Sequence, residues 1–250
     1  MGESVVPRPV HRSRIAVWRA DDEAEPREKV LGTLPPRPWT SLTATPLESL
    51  MTTPQDLFLV SVDVPGARPV EQGDLSLALA GAELIDLLGT RALTLDGERV
   101  VPGAALDTGD RMLDEACAAL VRAEPYESVE DWLWRRGRGL AAAYRDDLDR
   151  AGQLTGESRR WLPRLGGDAP QPDTPARRHA ADRWWSNEPV LTALAVPLGI
   201  GEDRTDGNEN ADDAVLTVLA TVGDAITELT AVRERRRIEN AAFDNIWRAP

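Results

Sequence analysis

Hydrophobic and polar positions change rhythm several times along the chain, and the first clear signal opens near residue 52. In TTPQDLFLVSVDVPG a threonine pair precedes an apolar run that closes on Pro65-Gly66, the pattern of an N-capped helix ending in a turn. Gly73-Asp74 opens a longer run, and Gly89 closes it. Between them Leu75, Leu77, Leu79, Leu84, Ile85, Leu87 and Leu88 alternate with Ala78, Ala80, Gly81 and Ala82, which leaves almost no polar face. A helix that is apolar on all sides is a buried helix, and its small residues let neighbouring helices come close. RALTLDGERVVP then alternates on both sides of Asp96-Gly97, the pattern of a two-stranded hairpin.

DTGDRMLDEACAALVRAEP predicts an amphipathic helix capped by Asp107, Thr108 or Asp110, with Met112, Leu113, Ala116, Leu120 and Val121 as its apolar stripe. The next segment, ESVEDWLWRRGRGLAAAYRDDLDRAGQL, begins with a capping box from Ser128 to Asp131. Gly137 and Gly139 weaken its middle, so two helices or one kinked helix are expected, ending at Gly152. LTGESRRWLPRL reads as a second hairpin. The run NADDAVLTVLATVGDAITELTAVRERRRIENAAF is apolar around most of its circumference through Val215, Leu216, Val218, Leu219, Val222, Ile226 and Leu229. It is expected at the centre of the fold. The fold class is therefore mainly α: one helical-bundle domain over residues 51–250, with buried central helices, surrounding amphipathic helices and short β-hairpins. Residues 1–50 mix charges and prolines without periodicity. They are expected to form a flexible arm, with Trp18 and Trp39 as docking residues.

The formal net charge is −13, and the isoelectric point lies near 4.7. Such a chain is repelled by nucleic acid and by anionic membrane unless its basic residues gather on one face. All of those residues except Lys29 are arginines. The single cysteine, Cys117, excludes a disulfide within the chain and a cysteine zinc site, which suits a reducing cytosol. MGESVVPRPVHRSR has no apolar core of a secretory leader, and no run of about 18 apolar residues is present. A cytoplasmic protein without a transmembrane segment is expected, in contact with membranes only at their surface.

Candidate chemistry is sparse. The acid pairs Asp114-Glu115, Asp146-Asp147 and Asp212-Asp213 sit where helix capping and solubility explain them. His11 and His179 form neither a triad nor a metal cluster by spacing, and LGGDAP and LAGAEL lack a nucleotide-binding frame. No cofactor, metal or enzymatic activity is expected. Arginines group beside tryptophans: Arg135, Arg136 and Arg138 follow Trp132 and Trp134, while Arg177, Arg178 and Arg183 precede Trp184-Trp185. Arg233, Arg235, Arg236 and Arg237 fall in the last helix. Two readings stand for each group: contact with an anionic headgroup while the rings enter the lipid interface, or a solvated face paired with surplus acids. A helix followed by a hairpin also allows a winged-helix DNA binder. Glu83 and Asp86, with no base beside them, oppose that reading.

The order of TTPQDLFLVSVD, LSLALAGAELIDLL, a hairpin, TGDRMLDEACAAL, SVEDWLWRR, DRAGQLT and AVLTVLATVGDAI resembles the Golgi phosphoprotein 3 family over residues 52–232. TGD-x-x-LDEA and AGAELIDL are its most specific parts. The resemblance implies one mainly helical domain and a non-enzymatic peripheral membrane protein. Such a protein binds phosphatidylinositol 4-phosphate and acts as an adaptor for cytosolic protein tails. The family's headgroup pocket uses a Trp before the apolar helix, an Arg within it and two Arg three residues apart. Aligned without gaps, these fall on Glu71, Ala80, Arg138 and Ala141, so the resemblance retains Arg138 alone. Arg135, Arg136, Arg178 and Arg183 join it as candidate headgroup contacts. The family's projecting membrane hairpin falls near residues 161–175. A protein-interaction scaffold using the tryptophans at 132–134 and 184–185 is the alternative.

Overall fold

The computed structural model describes residues 51–104, 106–154, 173–201 and 212–248, all within one unit that spans Pro46–Pro250. The expected arm at 1–50, most of the second hairpin and the loop after residue 201 lie outside the described residues. The described chain is mainly helical, as its periodicity predicts.

Helix α1 (Thr53–Asp63) follows Thr52, and a proline stands in its first turn. Helix α2 (Gln72–Gly89) comes next, then strands β1 (Leu93–Asp96) and β2 (Arg99–Pro102). The strands pair antiparallel, Leu95 opposite Val100 and Asp96 opposite Arg99. The two loop residues are thus Gly97 and Glu98, one position beyond the Asp-Gly pair that the sequence suggests. Gly97 takes φ +56°, a left-handed value that a residue with a Cβ adopts only with strain.

Helices α3 (Arg111–Ala118), α4 (Val129–Arg136) and α5 (Leu140–Arg150) complete the first half. Asp110 caps α3 by accepting from Leu113 N–H at 2.9 Å, and Val121 lies beyond the helix and is exposed. The Ser128–Asp131 capping box forms, with Asp131 N–H donating to Ser128 Oγ at 3.0 Å. The glycine pair separates α4 from α5, and Gly139 sits at φ +73°. Helices α6 (Pro175–Trp185) and α7 (Pro189–Ala195), a short 3-10 turn at Val196–Leu198, and α8 (Asp213–Arg248) follow.

Helix α2 is the axis of the domain and packs against α1, α3, α4, α5, α7 and α8. Its residues from Asp74 to Ile85 are all buried, as an all-apolar helix requires. Gly81 brings α8 close, because a Cβ there would strike the Val222 side chain. The expectation for α8 needs correction. Among its described side chains only Val218, Val222, Ala225 and Ile226 are fully inside, with Val215, Leu219 and Leu229 half-buried against the core. The 36 residues of α8 span about 54 Å at 1.5 Å per residue, twice the length of the 18-residue α2, and α2, α4 and α7 cover it from one side. Its Asp213–Ala241 stretch contains a window of mean hydropathy 1.6, long and apolar enough to cross a membrane by length and composition. The sequence reading finds no such stretch. Here that window packs one stripe on α2 and has 22% of its residues buried.

Candidate functional site

The candidate arginines separate into engaged and available ones. Arg136 reaches into the core, where its guanidinium donates to both Glu83 oxygens at 2.8 Å and to Met112 O at 3.3 Å. Tyr144 Oη donates to the same carboxylate at 3.0 Å. Burial pushes the Glu83 carboxyl up, against the Arg136 guanidinium that favours its charge, and burial beside Glu83 lifts the Tyr144 phenol well above its ordinary range. Arg135 forms a two-pronged pair with Glu127 at 3.0 and 2.6 Å and lies over the Trp132 ring, 5.1 Å from its centre.

Helix α6 carries Arg178 and Arg183 and packs on α1 and α7, whereas α4 packs on α2 and α8. The two arginine groups are therefore not brought onto one packed surface. Arg183 donates to Asp56 at 2.7 Å and to Glu188 at 2.9 Å. Asp56 is buried, which raises its carboxyl, and His179 Nδ1 lies 3.2 Å from its other oxygen. Arg178 is 64% exposed and pairs with Asp173 at 3.2 Å.

Arg138 differs from the other four. It is exposed and makes no hydrogen bond or ion pair with another described residue. It lines a concavity of about 350 Å³ together with Trp134, Gln72, Gly73, Ser76 and Leu229. Local packing sets this placement. Ser76 Oγ donates to Gln72 O at 2.8 Å and accepts from Ala141 N–H at 3.1 Å, tying the start of α5 to the first turns of α2. A Cβ on Gly137 would come within 2.6 Å of Leu133 O and 3.3 Å of Ser76 O, so only glycine allows this close crossing.

The floor of the concavity is the N-terminus of α2. Its cap residue, Glu71, makes no side-chain cap, and the N–H groups of Gln72, Gly73 and Asp74 have no acceptor among the described residues. Unsatisfied N–H groups and the helix dipole attract an anion there. The Arg233 guanidinium lies against Gly73, where a Cβ would meet its Nη2 at 2.6 Å. It is held by buried Asp74, whose Oδ1 accepts from Arg233 Nη1 at 2.6 Å while Arg68 Nη1 stands 3.6 Å from Oδ2.

Trp134, Arg233 and Gly73 thus belong to the site, although the family alignment points to none of them. The basic run at 233–237 is visible in the sequence, but nothing local joins Arg233 to Gly73. Glu71 is the N-cap residue of α2 and is exposed. Ala80 and Ala141 are buried, and Ala80 O accepts from the Trp132 indole N–H at 3.1 Å. Of the four tryptophans proposed for a scaffold, Trp132 and Trp184 are buried, Trp134 lines the concavity, and Trp185 is 76% exposed. The helix ahead of the hairpin is buried, so it presents no face to a DNA groove. Among the described residues no group of three or more His, Cys, Asp or Glu could hold a metal ion.

Compared with curated proteins, the chain finds no match. Compared with family profiles, residues 54–249 match Golgi phosphoprotein 3 (GPP34), from the second residue of α1 to the residue after α8. The single helical domain and the motif order agree with that match, and the chain belongs to the Golgi phosphoprotein 3 family.

Proposed function

We propose that this chain is a non-enzymatic, peripheral membrane adaptor whose concavity at the start of α2 takes the phosphate of an anionic lipid headgroup, phosphatidylinositol 4-phosphate being the ligand the family implies. The observation that carries the reading is Arg138, an arginine without an ion-pair partner among the described residues, standing beside Trp134 over a helix N-terminus with no side-chain cap. A phosphate entering there meets the N–H groups of α2 and the Arg138 fork, while Arg233 beside Gly73 is already paired with Asp74. The Trp134 ring replaces the tryptophan that Glu71 displaces, and supplies an apolar wall for the ring of a headgroup or for the lipid interface. Charge-assisted hydrogen bonds contribute about 1.5–3 kcal/mol each, so one arginine with two or three amides supports modest affinity.

Calorimetric titration with soluble inositol 1,4-bisphosphate tests the pocket without a membrane. Saturable binding is expected, weakened about tenfold or more by Arg138→Ala. A titration with no heat above dilution, or an Arg138→Ala variant that binds like the parent, rejects the reading.

A further inference from the structure

Helix α8 runs antiparallel to α2 and continues past it. Gly81 faces Val222, and Gly73, in the first turn of α2, faces Leu229 and Arg233. From Arg233 the helix goes on to Arg248, about 22 Å further at 1.5 Å per residue. Every residue from Glu234 to Ala241 is exposed, so no described element covers this stretch. Ile238 and Phe243 are 64% and 62% exposed, two of the five large hydrophobic side chains that stand out from the surface among the described residues. In the sequence, apolar residues recur at 238, 242, 243, 246 and 247, a helical spacing that ordinarily marks a face turned to a core. A helix this short is marginal in water by itself, and a medium that takes up its apolar positions stabilises it.

Charge identifies that medium. The chain carries −13 overall, yet Arg233, Arg235, Arg236 and Arg237 stand within five positions here. Arg233 is held by Asp74, and Arg237 pairs with Glu234 at 3.0 Å. Arg235 and Arg236 are exposed and make no hydrogen bond or ion pair with another described residue. Exposed apolar side chains beside unpaired arginines suit a lipid–water interface, where the apolar groups enter the acyl boundary and guanidinium groups reach back to phosphates. A second copy would bring the same arginines to the contact and is repelled. Leu229 lines the concavity at the start of α2, so a lipid headgroup seated there sets the bilayer beside the outgoing end of α8.

We propose that α8 beyond Arg233 is a second membrane contact that lies along the surface of an anionic bilayer, with Ile238 and Phe243 in the interface and Arg235 and Arg236 on lipid phosphates. The proposal rests on the headgroup reading for its approach to the membrane: the concavity selects the lipid, and the helix adds affinity for the bilayer around it.

The native cysteine, Cys117, is buried, so an NBD label attached to Ile238→Cys in the full chain reports on this helix. Vesicles of phosphatidylcholine, phosphatidylserine and phosphatidylinositol 4-phosphate should brighten the label and shift its emission to the blue. In co-sedimentation with the same vesicles, Ile238→Asp with Phe243→Asp should lose at least about tenfold in affinity. That double variant should still titrate with soluble inositol 1,4-bisphosphate like its parent, and the label decides if the variant does not fold. A parent that gives no heat with the bisphosphate, while vesicles still blue-shift the label, rejects the headgroup reading and supports the α8 contact. Three results overturn the proposal: a label unmoved by vesicles, a folded double variant that sediments like its parent, or a label already blue-shifted without lipid in proportion to protein concentration. The last would mean that a second copy covers the helix.

Discussion

Glu83 and Arg136 show how far a side chain's role depends on what it meets across the fold. The two lie 53 positions apart, and spacing alone gives Arg136 the same standing as Arg135 and Arg138. Inside the bundle Arg136 answers a fully buried carboxylate that Tyr144 also engages. Removing one partner leaves the other charged and buried, so Arg136→Ala should lower unfolding free energy by about 3–5 kcal/mol. The double change Glu83→Gln with Arg136→Met should cost clearly less, and urea denaturation of the two variants checks this. The pH dependence follows from the same site. Burial raises the Glu83 carboxyl above its ordinary 4.5, so its share of stability is complete below 4.5 and is lost as pH rises through the raised value. Acidification from neutral toward 4.5 should therefore stabilise the parent relative to Glu83→Gln, read from unfolding midpoints across that range. The candidate site was only partly legible for the same reason. Arg138 stands out by family alignment, but Trp134, Gly73 and Arg233 meet only through tertiary packing.

Elements were more legible than residues because their signals are local. The Thr52 start of α1, the Asp110 cap of α3, the Ser128–Asp131 box of α4 and the glycine break before α5 all act within a few residues. Burial of α8 was not legible, because apolar composition says which faces could be covered and the number of neighbours says which are. Six helices surround α2, while α8 is backed on one side. The α2–α8 contact makes a prediction at this scale. Gly81 faces Val222 with no room for a side chain, so Gly81→Val should force the helices apart and cost about 1–3 kcal/mol in urea unfolding. Gly223, on α8 with nothing within 4 Å of a Cβ, is the matched control: Gly223→Ala should be neutral or stabilising.

At the scale of the whole molecule, most of the arginines described at the domain's candidate sites are neutralised by the surplus acids that give the chain its −13 charge. Membrane attraction by bulk charge is therefore weak, and the proposed headgroup binding rests on a local site instead. The start of α2, with Arg138 and its own amides, is the candidate place. The most direct measurement is co-sedimentation with phosphatidylcholine vesicles that contain either phosphatidylinositol 4-phosphate or phosphatidylinositol, comparing the parent, Arg138→Ala and Arg178→Ala. The account predicts preference for the phosphorylated lipid, at least a tenfold loss in Arg138→Ala, and no change in Arg178→Ala. Equal sedimentation with the two lipids, or an Arg138→Ala protein that sediments like its parent, would contradict it.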